Sequence, residues 1–193
     1  MKENMQIKDY ITIGVILAIY FIGFNLILGM LVSISPKLLF IGQGIASLIL
    51  APLYMLLVAK VQKKWAILIF GATMVTITLV MTGGAWPIAF GYLGIIIAEF
   101  ISHSGDYKNF IKNNIGYVFF SYWSIGMALM YYFMGKELLS KAGMPSEYID
   151  EFMVNITSQN LIIGIIIIAV LAFIGGFIGK AMLKKHFKRA GIA

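Results

Sequence analysis

Apolar residues in this chain gather into six long runs separated by short polar or basic connections. The runs cover residues 10–32, 38–59, 65–81, 86–102, 115–134 and 161–183. The last is the plainest. From Leu161 to Gly179 it holds no charge and no proline, and it gives way to Lys180, Lys184, Lys185, His186, Lys188 and Arg189. As a helix, that stretch would be roughly 28 Å long, close to the hydrocarbon thickness of a bilayer. A helix apolar on every face has little use in a small soluble domain. Backbone groups in lipid must be paired within their own segment, and runs of this length suit helices better than barrel strands. The pattern predicts an all-α fold, a six-transmembrane-helix bundle forming one membrane domain over residues 1–193.

Five connections join the runs, and they differ in character. Thr82 to Pro87 reads as a tight turn, with Gly83 and Gly84 for unusual dihedrals and Pro87 suited to the first turn of a helix. Gly135 to Asn160 is the only long connection. Within it, Pro145 and Ser146 open a segment with Ile149, Phe152, Met153 and Ile156 at helical spacing and Glu147, Asp150 and Glu151 between them. This predicts a short amphipathic helix over the outer mouth, between the fifth and sixth spans. Such a helix is either a lid or a surface element tying two spans together.

Composition agrees with the pattern. Hydrophobic residues make up 61% of the 193, charged residues 12%, and the mean hydropathy is +0.93. Too little polar surface exists to cover a soluble globule. The net charge of +7 is placed at the ends of apolar runs instead of along a stripe, which argues against nucleic acid as a partner. With no cysteine and two histidines, disulfides, thiolate chemistry and an ordinary structural zinc site are excluded, and no cofactor or metal is expected. Lys2 and Lys8 before an apolar stretch outline a signal peptide, but the run to Val32 is too long and no small-residue cleavage site follows it, so a retained span is expected.

Charge also orients the bundle. Lys2, Lys8, Lys60, Lys63, Lys64, Lys108, Lys112, Lys180, Lys184, Lys185, Lys188 and Arg189 fall on one side, and only Lys37, Lys136 and Lys141 on the other. The positive-inside rule then places both termini in the cytoplasm.

Motifs for chemistry are missing. Gly42 and Gly44 open a dinucleotide-like pattern, but Ser47 stands at the third glycine position. Gly179 and Lys180 match the end of a phosphate loop, while Ile174 and Ala181 occupy its other required positions. The chain is not expected to be an enzyme. Glu99 is the clearest ionisable residue inside a run. It is expected about a turn from the cytoplasmic boundary, within reach of water or a lysine, and in a structural role ahead of a proton relay. His103 and His186 read as interfacial. Candidate ligand-binding residues lie in the outer half: Asn25, Gln43, Trp86, Trp123, Met127, Tyr131, Tyr132, Gln159 and Asn160, with Ser158 beside them. Aromatic walls with a few amides suit a flat, neutral or amphipathic small molecule. The same residue types also form interfacial belts and interhelical hydrogen bonds. Gly14 with Ala18, and Gly175 with Gly176 and Gly179, make small-residue faces for close packing, within the bundle or against a partner.

Several words spread over nearly the whole chain carry a resemblance. They are Lys8 to Gly14, Gly42 through Pro52 to Lys60, Ala98-Glu99, Gly105 to Lys108, Gly116-Tyr117, Gly175-Gly176 and Lys185 to Ile192. In these the chain resembles the substrate-binding S components of energy-coupling factor (ECF) importers, specifically the Trep_Strep, or MptD-like, family. The resemblance implies a multi-pass protein of the bacterial plasma membrane that captures a micronutrient at its outer face. It also implies as partners an ECF transmembrane coupling subunit and two ATPase subunits, and toppling in the bilayer to release substrate inside. S components dock through an Ala-x-x-x-Ala face on the first helix; here Gly14 and Ala18 stand at a similar place, in small-residue form only. The implied cargo is vitamin-like, or related to iron or haem. A stand-alone carrier or channel, and a membrane scaffold, are the competing functions.

Overall fold

The computed structural model describes residues 4–187, and among these the regular structure is entirely helical. Eight α-helices follow in order: α1 (Ile7–Ile34), α2 (Leu39–Lys60), α3 (Ala66–Met81), α4 (Gly91–His103), α5 (Phe110–Ser121), α6 (Ile125–Lys141), α7 (Ser146–Val154) and α8 (Ser158–Met182). Short 3₁₀ turns precede α2, precede α4 and separate α5 from α6, and a π turn, Leu183–Phe187, ends the described chain. Four segments are long and apolar enough to cross a membrane: Ile7–Ile34, Pro36–Lys60, Trp86–His103 and Ser158–Lys185. The third apolar run forms α3, which has 16 residues and spans roughly 24 Å.

The fifth run departs from expectation. It is not one helix over 115–134 but two, α5 and α6, with a 3₁₀ turn at Tyr122–Ser124 between them, and together they extend from Phe110 to Lys141. The cause is polar, partly local and partly a bond from α2. Ser121 Oγ donates to the Tyr117 carbonyl at 2.9 Å and Ser124 Oγ to the Ser121 carbonyl at 3.0 Å, while Gln43 Nε2 on α2 donates to the Ser124 carbonyl at 3.1 Å. Side-chain bonds to the backbone compete with the α-helical ladder and stabilise a tighter turn. An apolar count along the sequence has no term for that competition.

Contacts sort the loops into two ends. Lys63 in the α2–α3 connection lies 2.9 Å from Asp9 near the start of α1, and its Nζ donates to the Asn4 carbonyl at 3.0 Å. Lys180 near the end of α8 sits 4.1 Å over the ring of Phe110 at the start of α5. The starts of α1, α3 and α5 and the end of α8 therefore share one end, called here the basic end. The connections 35–38, 82–85 and 142–145, together with α7, form the far end. Lys2, Lys188 and Arg189, counted above for orientation, lie outside the described residues.

The closest helix pair is α2 with α8. Pro52 lies inside α2, where its ring removes the hydrogen bond that the Leu48 carbonyl would accept. That freed carbonyl faces Gly175 of α8: a Cβ added there would lie 2.9 Å from Leu48 O and 2.8 Å from the Ala51 methyl. Gly179 fits against Met55 in the same way, and Gly176 against the side chain of Asn114, whose Nδ2 donates to the Phe173 carbonyl at 3.1 Å. The α8 small-residue face is thus spent inside the bundle. Gly14 and Ala18 on α1 are exposed instead, with nothing within 4 Å of a Cβ at Gly14.

Gly175→Ala should destabilise the protein by about 1–3 kcal/mol, since the added methyl meets backbone and a packed methyl. Gly14→Ala, set in open space, should leave stability unchanged or slightly raised. Thermal unfolding of both variants in one detergent checks the contrast.

Candidate functional site

At the far end, α1, α2, α6 and α7 enclose a cleft of about 190 Å³. Asn25, Leu28, Gly29 and Val32 of α1 make one wall, with Leu39 of α2 beside them; Met127 and Tyr131 of α6 face them. α7 closes the cleft. Its polar residues face water, and Phe152 turns inward, 2% exposed, with its ring centroid 4.8 Å from Tyr131 and 6.1 Å from Tyr148. Asn25 Nδ2 donates back to the Phe21 carbonyl at 2.8 Å, so its Oδ1 remains an acceptor for a ligand. One amide acceptor and one phenol among apolar walls can hold a small, mostly apolar ring with one or two polar edges.

A neighbouring cleft of about 160 Å³ is lined by Lys37, Phe40, Ile41, Asn155, Asn160, Ile163 and Ile167. Asn160 donates from Nδ2 to the Asn155 carbonyl at 2.9 Å, and its backbone N–H donates to Oγ1 of Thr157, the N-cap of α8, at 3.2 Å. The α7–α8 corner thus separates the two clefts and touches both.

The nine residues expected to bind ligand divide into four groups. Asn25, Met127 and Tyr131 share the larger cleft, and Asn160 lines the smaller one. Gln43 and Trp123 are sealed in the interior, with Trp123 1% exposed and its ring 4.7 Å from Phe24. Gln43 Oε1 and Trp123 Nε1 have no hydrogen-bond partner there. Trp86, Tyr132 and Gln159 are exposed; Trp86 packs on Phe90 and Phe133, and Tyr132 on Phe133, on the outside of the bundle. Sequence reasoning did not single out Phe152, Gly29, Val32 or Leu39 as cleft residues. Phe152 did carry a signal, as the central apolar position of an amphipathic segment.

Beneath the cleft the interior is filled by rings. Tyr20, Phe70, Phe120, Tyr54 and Tyr117 stand 4.8–5.7 Å apart, centroid to centroid, along successive pairs. The Tyr117 hydroxyl donates to the Ser47 carbonyl, and those of Tyr20 and Tyr117 lie 3.4 Å apart. This aromatic layer divides the far-end cleft from the basic end.

The family model described as a hypothetical bacterial integral membrane protein, Trep_Strep, matches residues 7–189. The chain belongs to the Trep_Strep family. It is therefore a membrane-embedded protein of bacterial type, and its exposed apolar faces, such as Ile11, Val15, Ile19, Ile22 and Leu26 on α1, meet lipid or a partner. No curated protein and no solved structure matches the chain.

Glu99 in this Trep_Strep chain lies a turn from the end of α4, as its position in the run implied, but it does not reach out to water or a lysine. It is 2% exposed, and its hydrogen bonds come from backbone N–H groups and a tyrosine instead. Its carboxylate caps α3 from another helix. Oε1 accepts the N–H of Trp65 at 2.8 Å, Oε2 accepts those of Ile67 and Leu68 at 3.1 and 3.2 Å, and the Tyr107 hydroxyl donates to Oε1. Trp65, the residue before α3, has φ 74° and an indole that cannot accept a hydrogen bond, so it provides no cap of its own. Four donors on one carboxylate at a helix N-terminus make a structural charge, stabilised by the helix dipole.

Glu99→Gln keeps the shape but turns an NH₂ group toward N–H donors. It should destabilise by about 2–4 kcal/mol. Thermal unfolding at two pH values checks this; an unchanged melting temperature combined with lost pH-dependent activity would instead make Glu99 a proton carrier.

Proposed function

We propose that this protein is the substrate-capture subunit of an ECF-type importer. In this reading six segments cross the plasma membrane, with α5 and α6 forming one broken crossing and both termini in the cytoplasm. The distribution of lysine and arginine supports that orientation, with the basic end inside and the cleft outside. The observation that carries the proposal is the cleft closed by α7 through Phe152. A half-open site at the far end, covered by one short helix and backed by an aromatic layer, suits binding a solute better than conducting it. Delivery then needs a partner that moves the whole subunit or rearranges its helices.

Two further features fit. The chain has no complete phosphate loop, so ATP would be hydrolysed by two partner ATPase subunits. Gly14 and Ala18 are exposed small residues between bulkier ones on α1, with open space at Gly14, which lets a coupling subunit's helix approach closely there. About 190 Å³ is below the usual range for small-molecule sites, so a single-ring, vitamin-like compound suits the closed cleft. A tetrapyrrole would require α7 to leave.

Uptake into vesicles that hold this chain, its coupling subunit and the ATPases should require ATP. Gradient-driven uptake by the chain alone would sink the proposal in favour of a carrier, and the absence of any small molecule in mass spectra of the purified protein would favour a scaffold. Gly14→Leu with Ala18→Leu should abolish copurification of the coupling subunit while ligand retention persists. Phe152→Ala should speed ligand release by about tenfold, the loss expected for one buried ring contact at a closing helix. Stopped-flow or filter-binding release rates measure it.

A further inference from the structure

The basic end carries a second cleft, of about 210 Å³, that the proposed transport function leaves unused. Met55, Ala59 and Gln62 of α2 and its following loop, Tyr107 and Lys108 of the α4–α5 loop, Phe110 and Asn113 of α5, and Lys180 and Leu183 at the end of α8 surround it. Two cations meet here. Lys180 has its ammonium over the Phe110 ring, and Lys108 has no carboxylate or hydrogen-bond partner for its side chain among the described residues. The nearby acids are committed: Glu99 caps α3, and Asp106, exposed on the loop, has an interaction of its own.

The wall presenting Lys108 is built to hold its shape. Asp106 and Tyr107 both adopt left-handed backbone, with φ 54° and 58°, a conformation L-residues hold only when neighbours fix them. Here the Tyr107 hydroxyl is bound to Glu99, and Asn113 Nδ2 donates to the Tyr107 carbonyl at 2.8 Å. That bond also sets the Asn113 amide orientation and leaves its Oδ1, on a side chain only 7% exposed, with no donor among the described residues. A buried acceptor without a partner is costly and calls for a hydroxyl or ammonium from outside the chain.

A separate apolar groove lies farther along the same two helices, α5 and α8, on the outside of the bundle. Ile115 and Val118 of α5 and Ala169, Val170, Phe173 and Ile174 of α8 line an open groove of about 400 Å³ with almost no polar surface. Phe177, in ring contact with Phe110 at 5.1 Å and with Phe173 at 5.3 Å, links it to the cleft. From Lys180 to Val170 the groove runs roughly 15 Å along α8, enough for much of one acyl chain.

We propose that the cleft and groove together form a binding site for one anionic glycerophospholipid of the phosphatidylglycerol type. Its phosphate lies between Lys108 and Lys180, a glycerol hydroxyl donates to Asn113 Oδ1, and an acyl chain follows the α5–α8 groove. Neither half asks for this ligand alone. Two lysines attract any anion and an apolar groove meets any lipid, but a cationic cleft with an orphan acceptor at the head of a chain-wide groove matches an acidic headgroup with a hydroxyl and a tail. The site straddles the α5–α8 contact, so an occupant would brace the two helices at the basic end.

Native mass spectrometry of the full chain in detergent tests this, with palmitoyl-oleoyl phosphatidylglycerol, phosphatidylcholine of the same chains, and inorganic phosphate added separately. One phosphatidylglycerol should be retained about tenfold to thirtyfold more tightly than phosphatidylcholine, the effect expected of two lysines at an anionic headgroup. Lys108→Ala with Lys180→Ala should erase that preference without changing the melting temperature, since both side chains are exposed. Lys37→Ala with Lys136→Ala, an equal charge change at the far end, should leave it intact. Equal retention of the two lipids, or equal loss in the far-end control, overturns the proposal. Ala169→Trp, which fills the groove, should weaken lipid but not phosphate. If phosphate competes fully and Ala169→Trp changes nothing, the cleft is a soluble-anion site and the lipid assignment fails. A photocrosslinker at Val170 that captures a protein in place of lipid in membranes overturns it as well.

Discussion

The arrangement of helices at the basic end depends on one carboxylate. Glu99 comes from α4 but closes the open end of α3, and through Tyr107 it also fixes the loop that leads to α5. A helix start in an apolar environment leaves N–H groups that lipid cannot satisfy. Trp65 has no oxygen to offer, and an aromatic anchor in left-handed backbone is a poor cap. A buried charge would itself be costly, but here it is surrounded by donors whose combined dipole favours it. The two costs cancel because they meet at one place. Three helices and a loop thereby acquire a fixed relation that apolar packing alone, which is non-directional, would not specify.

A similar exchange governs the α2–α8 contact. Pro52 leaves the Leu48 carbonyl without its helical donor, and Gly175 lets α8 approach that carbonyl with only hydrogen between them. In a membrane there is little hydrophobic gain from bringing apolar helices together, so close contact and weak Cα–H···O bonds must do the holding. The proline and the glycine thus compensate one another across two helices. α1 has no such partner over much of its surface. Its exposed Gly14 and Ala18 face whatever lies outside, lipid or a second subunit.

These contacts decide where a ligand can go. The α5–α6 break turns Trp123 inward to Phe24, and the aromatic layer below fills the centre, so the space that remains lies above it, under α7. At the opposite end the loop held by Glu99 presents Lys108 across from Lys180. The protein is closed in its middle and open near both ends.

Helix content, the membrane environment and the amphipathic α7 were all legible in the order of apolar and polar residues, because one-dimensional periodicity and length are sufficient to specify them. Asn25, Met127 and Tyr131, which share the far-end cleft, were singled out only as polar or aromatic positions in apolar runs. The sequence could not separate them from Gln43 and Trp123, which have the same chemistry but point into the bundle, or from Trp86 and Tyr132, which point away from it. Rotation about a helix axis is set by packing, and an almost uniformly apolar helix carries little record of it; α1 and α8 are apolar nearly all round. The break at Tyr122–Ser124 and the burial of Glu99 were hidden for a related reason. Each is determined by a partner on a distant helix, Gln43 in one case and the start of α3 in the other. The sequence by itself determined that the chain is helical and embedded in a membrane. Only the tertiary structure decided which helix faces meet, and so where the cleft, the cap and the cationic pocket lie.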